Sequence, residues 1–161
     1  MTAVKFTVHG KPQPAGSKRG FYNAKAKRVI ITDDAKQSRP WKALVSDAAV
    51  QAMDALTGGR FDFEGSLLDG PLMVTLLFYV PRPKGHYGTK GVRPSAPDYP
   101  AVKPDVLKLA RAVEDAMSGI VYRDDAQIVC ELLEKHYGEP ARVEVTVSPI
   151  AASVRQKEQA A

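Results

Sequence analysis

Apolar and polar residues alternate near both ends of the chain, and this alternation predicts strands that are buried on one face. The first such strand covers residues 4–8 and the last covers residues 143–147. A strongly apolar segment at 72–80, closed by Pro81, predicts a further strand, and the segment 127–133 predicts another. Two short apolar segments at 21–22 and 29–31 flank the basic turn AKAKR and predict a hairpin.

Two other segments repeat apolar residues at helical spacing. The first helix is expected to be capped by Ser38 and to end at Thr57-Gly58-Gly59. The second helix is expected from Asp105 to Met117, where Ser118-Gly119 stops it. The buried stripes are expected at Trp41, Leu44, Val45, Ala48, Ala52 and Leu56 in the first helix, and at Val106, Leu109, Ala110, Val113, Ala116 and Met117 in the second.

The element order β, β, β, α, β, α, β, β predicts an α+β fold. We expect a single domain over residues 1–150, with a mixed β-sheet and two main helices, followed by a disordered polar tail at 151–161. A segment rich in Pro and Gly at 82–103 predicts a long loop, and loops of this length in compact domains are usually functional or disordered.

Charge and composition narrow the classes of function. The chain has 161 residues, a net charge of +5 and a pI near 9.3, which favour a polyanionic partner such as nucleic acid. No apolar run approaches the roughly 18 residues that span a membrane, so we expect no membrane segment. Cys130 is the single cysteine, which excludes an internal disulfide, favours the cytoplasm and is expected in the core.

The basic residues are concentrated in the first thirty positions, around Phe21 and Tyr22. Phosphate contacts from Lys and Arg carry most non-specific DNA affinity, and aromatic residues among them can stack on unpaired bases. A solvated basic hairpin is the alternative interpretation. The candidate DNA-binding residues are Lys11, Lys18, Arg19, Lys25, Lys27 and Arg28.

Acidic residues at both ends of the second helix form the candidate catalytic group. Asp105 lies at or just before the start of the helix, and Asp124 and Asp125 follow a turn that returns the chain, so the three carboxylates can approach one another. Grouped carboxylates repel each other and usually indicate a bound cation, such as a Mg²⁺ ion that activates water for attack on a phosphodiester. Helix capping by Asp105 and ordinary turn chemistry at Asp124-Asp125 explain the same residues without a site.

The same segment resembles the signature of the RusA family of Holliday junction resolvases. That family shows Asp-x-Asp-Asn, a Lys three residues later, Asp-Ala-Leu at the helix end, then Gly, a short strand and Asp-Asp-x-Gln. The opening Gly10-Lys11-Pro12-Gln13-Pro14 is also similar, so the likeness spans about residues 4–148. The corresponding residues are Asp105-Val106-Leu107-Lys108, Arg111, Asp115-Ala116-Met117, Gly119 and Asp124-Asp125-Ala126-Gln127.

The resemblance implies a homodimer, of phage or prophage type here, that binds four-way DNA junctions and nicks two opposed strands with Mg²⁺ or, in its place, Mn²⁺. It implies that Asp105 and Asp125 are metal ligands and catalytic carboxylates, and that Arg111 stands where the phosphate-assisting Lys usually stands. Asp124 belongs to the same motif and is included among the candidate catalytic residues. Lys108 replaces the usual Asn and adds positive charge to the candidate DNA-binding set.

Leu107 departs from the family pattern because it replaces the second Asp. With about 100° of rotation per residue, Leu107 lies off the buried stripe, on the same side as Arg111 and Glu114. Glu114 can therefore supply a replacement carboxylate and is a candidate metal ligand, although a solvated helix position also explains it. Three functions follow as alternatives: a structure-selective endonuclease, a non-catalytic junction-binding protein with a decayed metal site, and a basic interaction protein unrelated to DNA.

Overall fold

A four-stranded mixed sheet and two helices form the body of the chain in the computed structural model, which describes residues 3–16, 18–33 and 37–150. The predicted α+β class is confirmed. In chain order the elements are β1 (Val4–His9), β2 (Lys18–Asn23), β3 (Arg28–Asp33), α1 (Ser38–Leu56), β4 (Leu72–Val80), β5 (Tyr87–Gly88), β6 (Gly91–Val92), α2 (Val106–Met117), β7 (Ile128–Tyr137) and β8 (Arg142–Pro149).

The strand order in the main sheet is β1-β8-β4-β7. The β1–β8 and β8–β4 pairs are antiparallel, whereas β4 and β7 are parallel and are connected through α2. The predicted hairpin is present as β2–β3, and the long loop contains a second, two-residue hairpin, β5–β6. Strand β7 is thus an edge strand of the main sheet, and it lies beside α2.

Alternation along the strands separates a buried face from an accessible one. Every second residue of β4, from Leu72 to Phe78, is fully buried, as are Val143 and Val147 of β8. Both helices contribute to the same core cluster, and their ends are joined by two polar contacts. Lys42 Nζ lies 2.7 Å from Asp115 Oδ2, and Ser46 Oγ donates to the Ala116 carbonyl at 2.9 Å, so α1 holds the C-terminal end of α2 in place.

The helix stripes were predicted with different success. In α2 the expected stripe is buried apart from Val106, which is half-buried. In α1 the buried apolar residues are Trp41, Val45, Ala49 and Met53, whereas Leu44 is 49% exposed. The expected stripe was therefore wrong in part, because the true stripe follows a strict four-residue step that places Leu44 and Leu56 at its margin.

Three other expectations are corrected or left open. Ser38 is the first helical residue and is buried, so it does not cap the helix; Gln37 holds the cap position without a side-chain bond. Cys130 is exposed and not in the core, because its register partner is Met73 on the accessible face of β4. The expected tail at 151–161 lies outside the described residues. No helix in the described ranges is long and apolar enough to cross a bilayer.

Candidate active site

Asp105 stands at the start of α2 but does not use its side chain to cap the helix. Its backbone is extended, its carbonyl accepts from the amides of Lys108 and Leu109 at 3.1 and 3.2 Å, and its carboxylate makes no capping bond. A capping residue normally engages its side-chain oxygen with a free amide of the first turn. The exposed Asp105 carboxylate is therefore available for another partner.

The C-terminal end of α2 is closed by a turn that returns the chain beneath it. Gly119 has a φ of +77°, a conformation that favours glycine, and its amide donates to the Tyr122 carbonyl at 2.7 Å. Tyr122 is fully buried, and its hydroxyl donates to the Glu114 carbonyl at 2.9 Å. Burial raises the pKa of this phenol, which keeps it a proton donor. Tyr122 thus ties the return segment to the last turns of the helix.

Asp124 and Gln127 shape the turn that carries Asp125. Asp124 Oδ1 accepts from the Ala126 amide at 2.8 Å, and Gln127 Oε1 accepts from the amides of Arg123 and Asp124 at 2.9 and 3.2 Å. These bonds form a capping box around the short 3-10 helix Asp125–Gln127. The Asp124 carboxylate is therefore engaged within the turn, whereas Asp125 is exposed beside it.

The amide nitrogen of Gln127 fastens this turn to a distant part of the chain. Gln127 Nε2 donates to the carbonyls of Leu68 and Gly70 at 3.1 and 3.2 Å, and the Leu68 amide donates to the Val121 carbonyl at 2.8 Å. The side chain of Gln127 therefore joins the turn to the segment that precedes β4. We refer to its four bonds, two accepted from the amides of Arg123 and Asp124 and two donated to the carbonyls of Leu68 and Gly70, as the glutamine clamp.

Glu114, near the C-terminal end of α2, interacts with the carboxylates of Glu131 and Asp125. Burial is the largest cause that raises the pKa of Glu114 to about 7, and the negative charge and hydrogen bond of Glu131 and the charges of Asp125 and Asp115 contribute to the same shift. Glu114 Oε1 is itself buried and has no hydrogen-bond partner among the described residues. An unpaired buried carboxylate oxygen is unfavourable, so this end of the helix is suited to a proton or a cation.

Glu131 was missed from the sequence, and the parallel register explains its place. It is level with Val74 of β4, which is fully buried, and adjacent residues on parallel strands point to the same face of a sheet. Glu131 therefore points towards α2. The signal in the sequence was a single charge within the apolar run that predicted β7, but its partner depends on strand pairing.

The structure does not gather all the predicted ligands. Asp105 and Glu114 are nine residues apart in α2, which separates their Cα atoms by roughly 13 Å along the axis. Within residues 3–16, 18–33 and 37–150, no three His, Cys, Asp or Glu side chains form a group that could hold a metal ion. Leu107 is 68% exposed, one turn before the exposed Arg111, as its position on the helical wheel predicted.

The predicted basic surface is described in part. Lys25, Lys27 and Arg28 are exposed at the β2–β3 turn, and Lys11 is exposed in the preceding loop. The side chains of Lys18 and Arg19 lie outside the described part of the structure. The loop passes beside the helix, because the Ala15 amide donates to the carbonyl of Lys108, whose own side chain is exposed, at 2.8 Å.

A groove of about 620 Å³ adjoins the far side of the clamped turn. Its walls come from the segment 64–71 and from residues 123–129, including Asp124 and Gln127. Gln127 therefore lines this groove, whereas Asp125 is not among the residues that line it. We assign no ligand to this groove.

Comparison with known proteins agrees with this arrangement. The sequence matches the model of the family described as endodeoxyribonuclease RusA over residues 10–148, which includes α2, the clamped turn and β7. It is also 31% identical over 155 residues to the uncharacterized protein YqaN of Bacillus subtilis strain 168, covering 94% of this chain and 100% of that protein. The family match covers most of the chain and includes both Asp105 and Asp125, so this chain belongs to the RusA family of endodeoxyribonucleases.

Proposed function

We propose that the protein is a Mg²⁺-dependent endodeoxyribonuclease that resolves four-way DNA junctions by paired nicks. The observation that carries the proposal is the RusA match across residues 10–148, within which Asp105 and Asp125 are exposed at either end of one helix and its return turn. The excess of positive charge suits a DNA substrate. We expect the protein to act in the cytoplasm.

The residues present fit a divalent cation. Glu114 has a buried oxygen without a partner among the described residues, and burial raises its pKa, with the charges of Glu131 and Asp125 adding to the effect. A cation relieves both the repulsion and the missing contact. Mg²⁺ is usually held by only one or two carboxylates together with waters and phosphate oxygens, so a three-carboxylate cage is not required.

Each candidate residue has a distinct role in this proposal. Asp125 is a metal ligand whichever residue is its partner. Asp105 is the second ligand in the family pattern, and Glu114 can substitute for the carboxylate that is missing at Leu107. Arg111 pairs with the phosphate, and Asp124 holds Asp125 in place through the turn. The bound ion supplies an activated water and neutralises charge on the phosphodiester.

A homodimer completes the proposal. Two nicks at symmetric positions require two matching sites, and a two-fold dimer provides them. Mn²⁺ is expected to substitute for Mg²⁺. Light scattering at micromolar concentration, with and without junction DNA, tests the dimer, and a monomer under both conditions contradicts this part of the proposal.

One observation favours a second candidate function. Leu107 exposes an apolar side chain where the family places a carboxylate, and a site that lacks this ligand would bind junctions without cutting them. In that case the protein is a junction-binding member of the family with a decayed metal site.

Cleavage of an end-labelled four-way junction, with Mg²⁺, with Mn²⁺ and with EDTA, separates the two candidates. The nuclease predicts paired nicks with either ion and none in EDTA, with linear duplex of the same sequence left intact. Tight junction binding with no cleavage under any condition selects the binding protein. Neither binding nor cleavage contradicts both.

A further inference from the structure

The segment between β4 and α2 concentrates positive charge. Residues 82–103 contain five Lys and Arg against one Asp, a net +4 in a chain whose total is +5. This segment, which we call the basic arm, leaves the sheet at the end of β4 and returns to the start of α2. Whether it is an ordered surface or a loose loop depends on what holds it.

The first half of the basic arm is fixed to the end of β7. The Arg82 guanidinium lies 4.2 Å from the centre of the Tyr137 ring and donates to the Pro97 carbonyl at 2.7 Å. His86 meets the same Tyr137 ring edge-on, with centroids 5.6 Å apart. A cation over an aromatic face is attractive, and Arg82 thus joins both sides of the arm to the sheet.

The second half is fixed to the same strand. The Tyr99 ring lies 5.7 Å from that of His136, and Lys135 Nζ donates to the carbonyls of Val102 and Pro104 at 2.6 and 2.8 Å. Lys135 therefore holds the residues on either side of Lys103. The arm ends beside Asp105, so its position is set by β7 and by the start of α2.

The arm also has internal order. Strands β5 and β6 pair across a tight hairpin, the Arg93 amide donates to the His86 carbonyl at 2.9 Å, and Arg93 Nε donates to the Tyr87 carbonyl at 3.0 Å. Lys84, Lys90 and Lys103 are exposed, and among the described residues no ion pair neutralises them. The result is a pre-ordered surface with three unneutralised ammonium groups.

We propose that the basic arm is a second DNA-binding surface, distinct from the β2–β3 hairpin. In this proposal the basic arm contacts the phosphates of one duplex branch of the junction, next to the acidic site. Ammonium groups bind the phosphate backbone with release of counterions, independently of sequence. Because the arm is already fixed, little conformational freedom is lost when it binds. This inference rests on the proposed function, since it takes DNA as the substrate.

The test measures binding alone, in EDTA, so that catalysis plays no part. In the arm variant, Lys84 and Lys90 are both changed to Gln. In the matched control, Lys5 and Arg60, which are exposed outside the arm, are changed to Gln, so that the same amount of positive charge is removed. Junction affinity is followed by fluorescence anisotropy across a range of salt. Each lost phosphate contact reduces the magnitude of the negative slope of log K against log salt by about 0.9. The slope of the arm variant is therefore expected to decrease in magnitude by about 1.8, and that of the control is expected to stay almost unchanged.

The outcomes separate this inference from the proposed function. A wild-type protein that binds no DNA contradicts the proposed function and the inference with it. If the wild-type protein binds the junction, but the substitutions Lys84→Gln and Lys90→Gln change its salt slope no more than the control substitutions do, the basic arm is not a DNA-binding surface. The proposed function stands in that case. Thermal unfolding of both variants checks that these exposed substitutions leave the fold intact.

Discussion

Replacing Gln127 by Ala should release the turn that carries Asp125 without unfolding the domain. The glutamine clamp makes four hydrogen bonds, two to amides within the turn and two to the carbonyls of Leu68 and Gly70. A hydrogen bond contributes about 0.5–1.5 kcal/mol net, and water can replace a lost partner where the group is exposed. Because three of the four bonds are exposed, we expect a total loss of about 1–2 kcal/mol rather than the full sum.

The functional loss should exceed what this stability change explains. A misplacement of about 1 Å at a catalytic group can reduce the rate by about a hundredfold, so junction cleavage should fall at least tenfold, mainly in kcat. Hydrogen exchange should quicken at the Ala126 amide, which Asp124 now holds. The melting temperature should fall by only a few degrees, roughly 2–4 °C for each kcal/mol in a domain of this size.

Two variants serve as controls for this prediction. Gln127→Glu keeps the oxygen that accepts from the Arg123 and Asp124 amides but loses both hydrogen bonds donated to Leu68 and Gly70. This variant therefore isolates the connection to Leu68 and Gly70, and its cleavage rate should lie between those of the wild type and Gln127→Ala. Gln13→Ala removes a single exposed bond to the Lys11 carbonyl and should have no effect. If Gln127→Ala cleaves the junction at the wild-type rate and its amide exchange is unchanged, the glutamine clamp does not hold Asp125 in place.

Three further predictions concern the charges around the site. Glu114→Gln should raise the free energy of unfolding by about 1 kcal/mol at pH 8, a value discounted for solvent screening, and by little at pH 4. The pKa of Glu114 is about 7 in the folded protein against 4.5 when unfolded, so wild-type stability falls as the pH rises through that window. An equal gain at both pH values contradicts this prediction. Leu107→Asp should increase Mg²⁺-dependent cleavage and, in the first helical turn, stabilise by about 0.3–1 kcal/mol; unchanged cleavage argues against a missing ligand. Changing Arg19, Lys27 and Arg28 to Ala should lower the salt slope of junction binding by roughly 2–3, and an unchanged slope means that the hairpin is only a solvated surface.

Local patterns predicted the elements of this fold because each element is specified by nearby residues. The stripe of α2 and the exposure of Leu107 both follow from helical rotation, and the apolar run of β4 has the bounds expected for it. The stripe of α1 was predicted only in part, because several of its apolar residues lie at the margin, where packing against the sheet decides which are buried.

The site was predicted less completely because its contacts are not local. Gln127 belongs to the recognised motif, yet its partners Leu68 and Gly70 are 59 and 57 residues away. Glu131 meets Glu114 only once β7 has paired in parallel with β4. Residue spacing alone cannot supply either contact, which is why the sequence indicated Asp105, Asp125 and Glu114 but neither the clamp nor the third carboxylate.

The proposed metal site is tested by cleavage of a four-way junction in Mg²⁺ by the double variant Asp105→Asn, Asp125→Asn beside the unmodified protein. We expect the unmodified protein to cut the junction. We expect the variant to bind the junction at least as tightly but not to cut it, because the two carboxylates proposed to face the metal and the DNA have lost their charge. Undiminished cleavage by the double variant would contradict the assignment of the metal site, even in a protein that proves to be a nuclease.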